Sequence, residues 1–435
     1  MDGKLIIYQV LPRLWGDGTF ASWNSRTFAY LRSLGVDYIW YTGIPRHATG
    51  KDFVKGDPGS PYAVSDWYDV NPYLTADGVR RIEEFRALVQ RTHDAGMKCL
   101  VDFIPNHVAC DYSGNLAVHP WCDGDWTDTR KVDWSSPRTE AEMLSILRFW
   151  ASTGVDGFRC DMVELVPSDA LGRVIGALRE EFPELIFVAE VYGRENYARY
   201  LSEAGFDLLY DKSGTYDILR GIADGSRQAR ELSWNWQSLG GMQPRMLNFL
   251  ENHDEQRIAS KWFAGDPSRA WAALAQAMLF NGASFMIYAG QEVGEDASEG
   301  HEGRTSIFEW CKPAGLGHLW QYICTGKGLS RRERSILSRY RSLCALSRLE
   351  AFRTGGVWDL CYCQDGSWFK PDRHFAFVRY SGREACAVFC NFGPTELEAE
   401  LQLPPELLSV SGIKTNKAAF KAAPFDYAVV KLNLS

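Results

Sequence analysis

Several features that mark common protein classes are absent from this 435-residue sequence. No apolar run is long enough to span a bilayer, and the opening MDGKLIIYQV has too short an apolar run for a secretory signal peptide. The net charge of −8 argues against nucleic acid or anionic lipid as a main partner. These absences predict a soluble cytoplasmic protein with no nucleic-acid and no membrane partner.

Motifs for disulfides, metals and nucleotides are missing as well. The 11 cysteines form no C-x-x-C pair, and some, such as Cys99 and Cys160, lie inside apolar segments. We therefore expect the cysteines to be reduced and to pack as small hydrophobic residues. None of the eight histidines forms an H-x-H pair, which argues against a metal-dependent barrel hydrolase. No G-x-G-x-x-G or Walker pattern indicates a nucleotide fold.

Flat aromatic rings, in contrast, are abundant, with 16 Trp, 19 Tyr and 23 Phe. Such rings fill protein cores, but they also serve as apolar platforms with a polar handle. A sugar-binding cleft uses platforms of this kind. The composition therefore agrees with a carbohydrate-binding protein without requiring one.

Short apolar segments alternate with amphipathic helical segments over the first 300 residues or so, which predicts a parallel sheet. Eight strands over this length fit a (β/α)₈ TIM barrel better than an open sheet. We assign the barrel to residues 1–107 and 140–350, a short loop domain to 108–139 after the third strand, and a C-terminal antiparallel β domain to 351–435. The predicted strands are KLIIYQV from Lys4, VDYIWY from Val36, MKCLVDF from Met97, GFRC from Gly157, LIFVAEV from Leu185, FDLLY from Phe206, RMLNFL from Arg245 and ASFMIY from Ala283.

Ionisable residues end four of these strands, and in such a barrel the active site lies at the C-terminal ends of the strands. An isolated Arg-x-Asp is more often a structural ion pair, and a lone Asp at a strand end is more often a helix cap. Four such endings at one barrel mouth favour a functional site instead. The residues are Asp102, Asn106 and His107 after the third strand, Arg159 and Asp161 after the fourth, Glu190 after the fifth, and His253 and Asp254 after the seventh.

Carboxylates, histidines and an arginine in one site suit glycosyl transfer. Retaining glycosidases need a carboxylate nucleophile and a second carboxyl that alternates as acid and base. Arg159 and Asp161 share a strand face, so the cation would keep Asp161 ionised. Glu190 lies in the apolar segment IFVAEV, where loss of solvent would raise its pKa toward that of a general acid.

Four segments, DFIPNH, GFRCDMVE, FVAEV and FLENHD, resemble in order the short motifs of the α-amylase superfamily, glycoside hydrolase family 13. GSPYAVSDWYDVNP and YAGQEVG are similar to two further family segments, and the likeness covers essentially the whole chain. The resemblance implies that Asp161 is the nucleophile, Glu190 the acid/base and Asp254 the third carboxylate. It also implies a set of supporting residues, with substrate contacts from Tyr62, His107, Arg159 and His253, and with Asp102 orienting Arg159.

The sequence departs from the family pattern at several points. The family's usual GYD is PYA here, so Ala63 lacks the carboxylate, and Glu164 and Leu165 stand where many endo-acting amylases have Lys-His. Asn106 matches a calcium-ligand position, but the short loop supplies no partner ligands that we can match. We therefore expect no required cofactor, with Ca²⁺ at Asn106 as the one metal that the resemblance allows. Trp121, Trp126 and Trp134 are candidates for sugar stacking or for core packing in the 108–139 loop.

The sequence thus predicts a retaining glycoside hydrolase that acts on α-glucosidic bonds of maltooligosaccharides or α-glucans through a covalent glycosyl-aspartate intermediate. An α-glucan or α-glucoside transglycosylase with the same catalytic residues is an alternative, because only the acceptor separates the two. A catalytically inactive scaffold is disfavoured, since all three carboxylates are present. An α-linked oligosaccharide is the expected partner; the linkage, endo or exo action and oligomeric state stay open.

Overall fold

A closed barrel of eight parallel strands forms the centre of the protein, in a computed structural model that describes residues 3–122, 124 and 126–434. Each strand pairs with the next along the chain, and the eighth pairs with the first. The predicted (β/α)₈ barrel is therefore confirmed. The strands are β1 Ile6–Val10, β2 Tyr38–Tyr41, β3 Lys98–Phe103, β4 Gly157–Cys160, β5 Ile186–Ala189, β6 Leu208–Tyr210, β7 Met246–Asn248 and β8 Ser284–Tyr288.

Helices connect the strands and continue beyond the eighth. The stretch that reads as a helix from Gly78 to Gly96 forms one between Arg81 and Asp94, and Gly96 follows it with φ +77°, a conformation that favours glycine. The helices are α1 Ser25–Ser33, α2 Arg81–Asp94, α3 Thr139–Ala151, α4 Ser168–Glu181, α5 Tyr197–Ser202, α6 Asp217–Asp224, α7 Arg230–Leu239, α8 Trp271–Leu279, α9 Ala314–Thr325, α10 Arg331–Ser347, α11 Glu350–Arg353 and α12 Pro405–Ser411. Among the described residues, none of the helices combines the length and the apolar character needed to cross a membrane.

The C-terminal part of the chain forms antiparallel strands, as predicted. A four-stranded sheet contains β9 Gly356–Asp359, β10 His374–Tyr380, β11 Ala385–Asn391 and β14 Tyr427–Leu432, and β12 Leu397–Gln402 pairs with β13 Lys417–Ala422. Side chains alternate between the two faces of β10. Phe375 and Phe377 pack with ring centroids 4.7 and 5.1 Å from Phe280 at the end of α8. The intervening Ala376 faces a second core that contains Phe389 and Phe420. The sheet is therefore bound to the barrel through a shared apolar layer.

The loop after β3 has a small sheet of its own, in which His107–Ala109 pairs antiparallel with Thr129–Lys131. A disulfide joins Cys110 to Cys122, whose Cα atoms are 5.9 Å apart, within the range that a disulfide can bridge. The prediction of reduced cysteines is wrong for this pair, because the loop folds back and brings two distant residues together; the other nine cysteines are free. The proposed domain limits stay a prediction.

Candidate active site

The predicted site residues meet in one pocket of about 320 Å³ at the C-terminal ends of the strands. Two more, Arg159 and Asp102, do not line this pocket but contact side chains that do. The eight residues come from five separate stretches of sequence, and the closure of the barrel brings these stretches together. The six predicted residues that line the pocket are Tyr62, His107, Asp161, Glu190, His253 and Asp254.

Arg159 on β4 is fully buried and links the two central carboxyl groups. Its Nη1 donates to Asp161 Oδ1 at 2.5 Å, and its Nη2 forms an ion pair with Glu190 Oε1 at 2.9 Å. Aromatic rings surround the guanidinium, with the centroids of Trp40, Tyr62 and Tyr210 between 5.1 and 5.6 Å away. Burying a cation costs free energy unless the cation is paired. Here two carboxyl groups and three ring faces replace the water that the guanidinium loses.

Asp161 follows directly after β4 and is 6% exposed. Burial raises the pKa of its carboxyl above the ordinary value and the charge of Asp102 adds to the rise, while the charge of Arg159 and its hydrogen bond lower the pKa. The expectation that Arg159 alone would keep this carboxyl ionised is therefore incomplete, because the loss of solvent outweighs the ion pair. Asp161 and Glu190 are linked through Arg159, which pairs with both carboxyl groups.

Glu190 follows directly after β5 and accepts two hydrogen bonds in addition to its ion pair with Arg159. Oε1 accepts a hydrogen bond from the Tyr192 hydroxyl at 2.8 Å, and Oε2 accepts one from the Met162 N–H at 2.9 Å. Met162 adopts φ +44°, a left-handed conformation that is uncommon for a residue with a long side chain. Burial raises the pKa of Glu190, partly opposed by Arg159 and reinforced by the charge of Asp161, in the direction that a general acid requires.

Asp254 stands after β7 at the mouth of the pocket, with its side chain 40% exposed. The pocket walls displace water from around its carboxyl, which raises the pKa of that carboxyl well above the ordinary value, and the charge of Glu190 adds to the rise. Because water still reaches the exposed part of the side chain, the rise in the pKa of Asp254 is smaller than it would be for a fully buried carboxyl. Because three carboxyl groups lie near the single guanidinium of Arg159, repulsion between their negative charges favours a state in which at least one of them is protonated.

His253 beside it is buried and in its neutral form, because burial and the charge of Arg159 lower its pKa well below the ordinary value. Gln9 Nε2 lies 2.7 Å from His253 Nδ1 and acts as its donor. The ring proton is then on Nε2, which is 3.1 Å from Asp254 Oδ2. The Tyr62 ring stacks on His253 with centroids 5.0 Å apart and planes at 14°.

Asp102 holds aromatic rings that surround Arg159. Its carboxylate accepts hydrogen bonds from Trp40 Nε1 at 3.1 Å, the Tyr62 hydroxyl at 3.3 Å and the Gly43 N–H at 2.8 Å. Within the described part of the chain, no hydrogen bond joins it to Arg159. Burial raises the pKa of Asp102 to about 6, although Arg159 and these donors lower it. Asp102 thus orients two of the rings around Arg159, and its predicted role as the support of Arg159 stays a prediction.

The loop after β3 contributes the last part of the pocket. His107 lies in its first strand, with the Trp126 ring 5.3 Å from its own, and both residues line the pocket. Trp121 is exposed and stacks on His119, whereas Trp134 packs against the core and donates to the Pro105 carbonyl at 3.0 Å. Of the three tryptophans considered for sugar stacking, only Trp126 faces the pocket.

Asn106 is the residue that the resemblance allows as a calcium ligand, and the absence of a required cofactor stays a prediction. Its side-chain nitrogen Nδ2 lies 3.3 Å from His107 Nδ1, and its backbone carbonyl accepts a hydrogen bond from the Val132 N–H. Over residues 3–122, 124 and 126–434, no three His, Cys, Asp or Glu side chains are grouped in a way that could hold a metal ion. We therefore derive no step that depends on a metal.

Comparison with known proteins assigns this geometry to a family. The family model described as "Alpha amylase, catalytic domain" matches residues 24–116 and 122–360, more than half of the chain. The chain belongs to the α-amylase family, glycoside hydrolase family 13. The resemblance of its four motifs is thereby confirmed at the level of the family.

Individual relatives are distant. The chain is 27% identical over 429 residues to Alpha-amylase MalA of Haloarcula japonica, covering 89% of this chain and 55% of that protein. It is 26% identical over 242 residues to an alpha-1,4-glucan:maltose-1-phosphate maltosyltransferase of Cereibacter sphaeroides, covering 47% and 34%. The chain thus spans little more than half, or less, of the length of these curated relatives. The solved structure of an alpha-amylase from Lactobacillus plantarum shares the fold, with a TM-score of 0.74, 20% identity and 98% of both chains covered.

The departures from the α-amylase family pattern have clear structural counterparts. Ala63 is buried in a small apolar cluster with Ala48 and Ala109, where a carboxylate would lose its water. Glu164 accepts hydrogen bonds from the Tyr192 N–H at 2.8 Å, the Gly193 N–H at 3.1 Å and the Asn196 amide at 2.6 Å. Glu164 stands where many endo-acting amylases have lysine. In this member of the family it therefore holds the segment after β5 in place.

Sequence reasoning missed several residues of the pocket, among them Lys55, Tyr192 and Phe308. For Tyr192 a signal was available, because it follows Glu190 by two residues and an extended chain places such residues on one side. Lys55 and Phe308 lie in long loops after β2 and β8, and nothing local in their sequence indicates the contact.

Proposed function

We propose that this α-amylase family protein is a retaining hydrolase of α-glucosidic bonds in maltooligosaccharides and related α-glucans. The observation that carries the proposal is the Arg159 bridge, which contacts Asp161 at 2.5 Å and Glu190 at 2.9 Å. A nucleophile and an acid/base held by one cation form the pair that double displacement requires. An α-linked oligosaccharide is then the partner, and the cytoplasmic location stays a prediction.

The proposed reaction has two steps that use this pair in turn. Asp161 attacks the anomeric carbon while Glu190 gives its proton to the leaving oxygen, which yields a glycosyl-aspartate. Glu190, now ionised, removes a proton from water, and the water oxygen replaces Asp161 at the same carbon. The Asp254 carboxylate and the His253 Nε2–H hold hydroxyl groups of the reacting sugar, and Tyr62 packs on its apolar face.

The choice of retention over inversion follows from the strand assignment. Asp161 and Glu190 end the neighbouring strands β4 and β5, and neighbouring strands lie about 4.8 Å apart. Retaining enzymes have their carboxyl groups about 5–5.5 Å apart, whereas inverting enzymes need about 6.5–9.5 Å to admit a water. The pairing of both carboxyl groups with the single guanidinium of Arg159 supports the shorter separation.

Transglycosylation is the second candidate function, and the maltosyltransferases among the relatives favour it. The first step is the same, and a sugar hydroxyl replaces water in the second. The ratio of transfer to hydrolysis products at rising acceptor concentration separates the two. Hydrolysis is supported when free reducing sugar dominates at millimolar acceptor.

Proton NMR of the first products, recorded before mutarotation, tests the mechanism. We expect the α-anomer from maltooligosaccharides, because two inversions restore the starting configuration. The variant Asp161→Asn is the control, since it should form no product of either configuration in the same time. Early β-anomer from the wild type would contradict the proposed mechanism.

A further inference from the structure

The wall of the pocket opposite Glu190 decides which end of a sugar chain can enter. The acid stands beside the leaving oxygen, so the leaving part of the substrate exits past Glu190. The non-reducing side of the reacting sugar extends in the opposite direction. Glu190 follows β5, and in a ring of eight strands β1 lies opposite β5, with β2 and β8 on either side of β1. The loops after β2 and β8 therefore bound the non-reducing side.

These two loops are joined by backbone hydrogen bonds. The Gly59 N–H donates to the Phe308 carbonyl at 3.1 Å, and the Trp310 N–H donates to the Asp57 carbonyl at 2.7 Å. Pro58 and Glu309 form an antiparallel bridge between them. We call residues 55–60 and 307–310 the closing wall. Because main-chain atoms make these contacts, the two loops are joined by the backbone itself and not only by side chains.

Close approach of the two loops requires a glycine. A Cβ on Gly56 would lie 2.6 Å from the Phe308 carbonyl oxygen, and the residue has φ +71°. On the side of β1, Arg13 Nη2 donates to the Glu309 carbonyl at 3.3 Å. The closing wall is thus fixed to the loop after β1 as well, and the loops after β8, β1 and β2 form one continuous barrier.

Lys55 extends the closing wall toward the loop after β3. Its Nζ lies 3.5 Å from Asp128 Oδ1, and both side chains line the pocket. Asp128 is buried, and its carbonyl accepts a hydrogen bond from the Cys110 N–H at 3.0 Å. An ion pair with a partly exposed lysine contributes little to stability. Its consequence here is steric, because the lysine stem crosses the space between two loops.

We infer that the pocket accepts only the terminal sugar of a chain, so that the enzyme is exo-acting and removes single α-glucosyl units from non-reducing ends. This inference rests on the proposed function and adds the end of the chain from which the enzyme acts. The pocket volume of about 320 Å³ agrees, since it lies at the lower end of the range for ligand sites. A polymer threaded through the site would have to pass the closing wall.

A pair of substrates tests the inference. One is maltopentaose with a 4-nitrophenyl group at its reducing end, and the other carries in addition a 4,6-O-ethylidene group on its non-reducing sugar. We expect the free substrate to shorten by one glucose at a time, and the blocked one to react more than 30-fold more slowly. A smaller difference would overturn exo action but leave the proposed function standing. No cleavage of either substrate would overturn both.

Opening the closing wall is the complementary experiment. The variant Lys55→Ala/Phe308→Ala should raise the rate on the blocked substrate relative to the free one at least tenfold. Lys51→Ala is the matched control, because Lys51 is exposed in the same loop but does not line the pocket. Circular dichroism verifies the fold of both. An unchanged rate ratio in a folded double variant would overturn the assignment of these residues as the barrier.

Discussion

Arg159 is the residue on which the chemistry of the site depends. It pairs with Asp161 and Glu190 at once, and its guanidinium is enclosed by aromatic rings. Only arginine has a planar fork that can face two carboxyl groups and stack on rings at the same time. A change in the charge of one carboxyl therefore alters the pKa of the other, because both pair with the same cation.

Asp161→Asn tests the residue proposed as the nucleophile. The amide cannot form a stable covalent intermediate, so we expect turnover to fall by roughly four orders of magnitude or more, with the melting temperature nearly unchanged. Initial rates on maltooligosaccharides measure the effect. Activity within tenfold of wild type would show that another residue attacks the sugar.

Tyr192→Phe tests the hydrogen bond to the proposed acid. The Tyr192 hydroxyl lowers the pKa of Glu190, because it donates to the ionised form. Without it the pKa rises, so the alkaline limb of the kcat/KM profile should move to higher pH, by about one unit at most. Tyr362→Phe is the control, since Tyr362 is exposed far along the chain. A limb that stays or moves to lower pH would contradict this role.

At the scale of elements, the segment after β5 is held from the end of β4. Glu164 binds two backbone N–H groups and the Asn196 amide of that segment. Since Tyr192 is part of the same segment, Glu164 sets the position from which its hydroxyl reaches Glu190. Two neighbouring strands are thus coupled through their loops as well as through the barrel ladder.

Glu164→Ala should loosen this segment. Because hydrogen bonds to a charged group contribute about 1.5–3 kcal/mol, we expect a fall in unfolding free energy of about 1–3 kcal/mol, together with a roughly tenfold lower kcat. Chemical denaturation and steady-state kinetics measure the two effects. Glu195→Ala, a change at an exposed neighbour, should leave both near wild type. Equal effects in the two variants would rule out a specific role for Glu164.

The barrel strands were predictable from sequence, whereas the boundary of the pocket was not. All eight strands occur where predominantly apolar segments stand, because buried parallel strands are rich in apolar residues. GFRC matches β4 residue for residue, although it contains Arg159. Motif residues such as Asp161 and Glu190 follow strands and were therefore placed correctly at one mouth. Lys55 and Asp128 meet only through the fold, so no local pattern indicates their contact.

On the scale of the whole molecule, the barrel and the C-terminal sheet share one core. Phe280 lies between Trp236 and the phenylalanines of β10. Arg379, buried in the same strand, donates to the carbonyls of Leu279 and Phe280 at 3.3 Å, which caps the end of α8. The sheet therefore satisfies polar groups of the barrel and does not form an independent unit on a linker.

Phe280→Ala should weaken both parts together. Loss of a buried phenylalanine costs about 3–5 kcal/mol, and we expect a lower melting temperature with a single transition. Calorimetry combined with tryptophan fluorescence measures this. Tyr362→Ala, at an exposed ring, should change the unfolding free energy by less than about 0.5 kcal/mol. Two separate transitions in the Phe280 variant would show that the sheet folds on its own.

Calcium should have little effect on stability. Among the described residues, no three His, Cys, Asp or Glu side chains form a group that could hold a metal ion, so we expect no binding free energy from calcium to stabilise the fold. Melting temperatures in EDTA and in millimolar Ca²⁺ should agree within about 2 °C. A large fall in EDTA that calcium reverses would contradict the prediction.

The ratio of three carboxyl groups to one guanidinium at the pocket also has a consequence for inhibition. Asp161, Glu190 and Asp254 outnumber Arg159, so the pocket carries an excess of negative charge whenever more than one of them is ionised. Such a field attracts cations and stabilises positive charge that develops on the sugar ring during bond cleavage. Sugar analogues with a protonated ring nitrogen should therefore bind far more tightly than their neutral counterparts of the same shape.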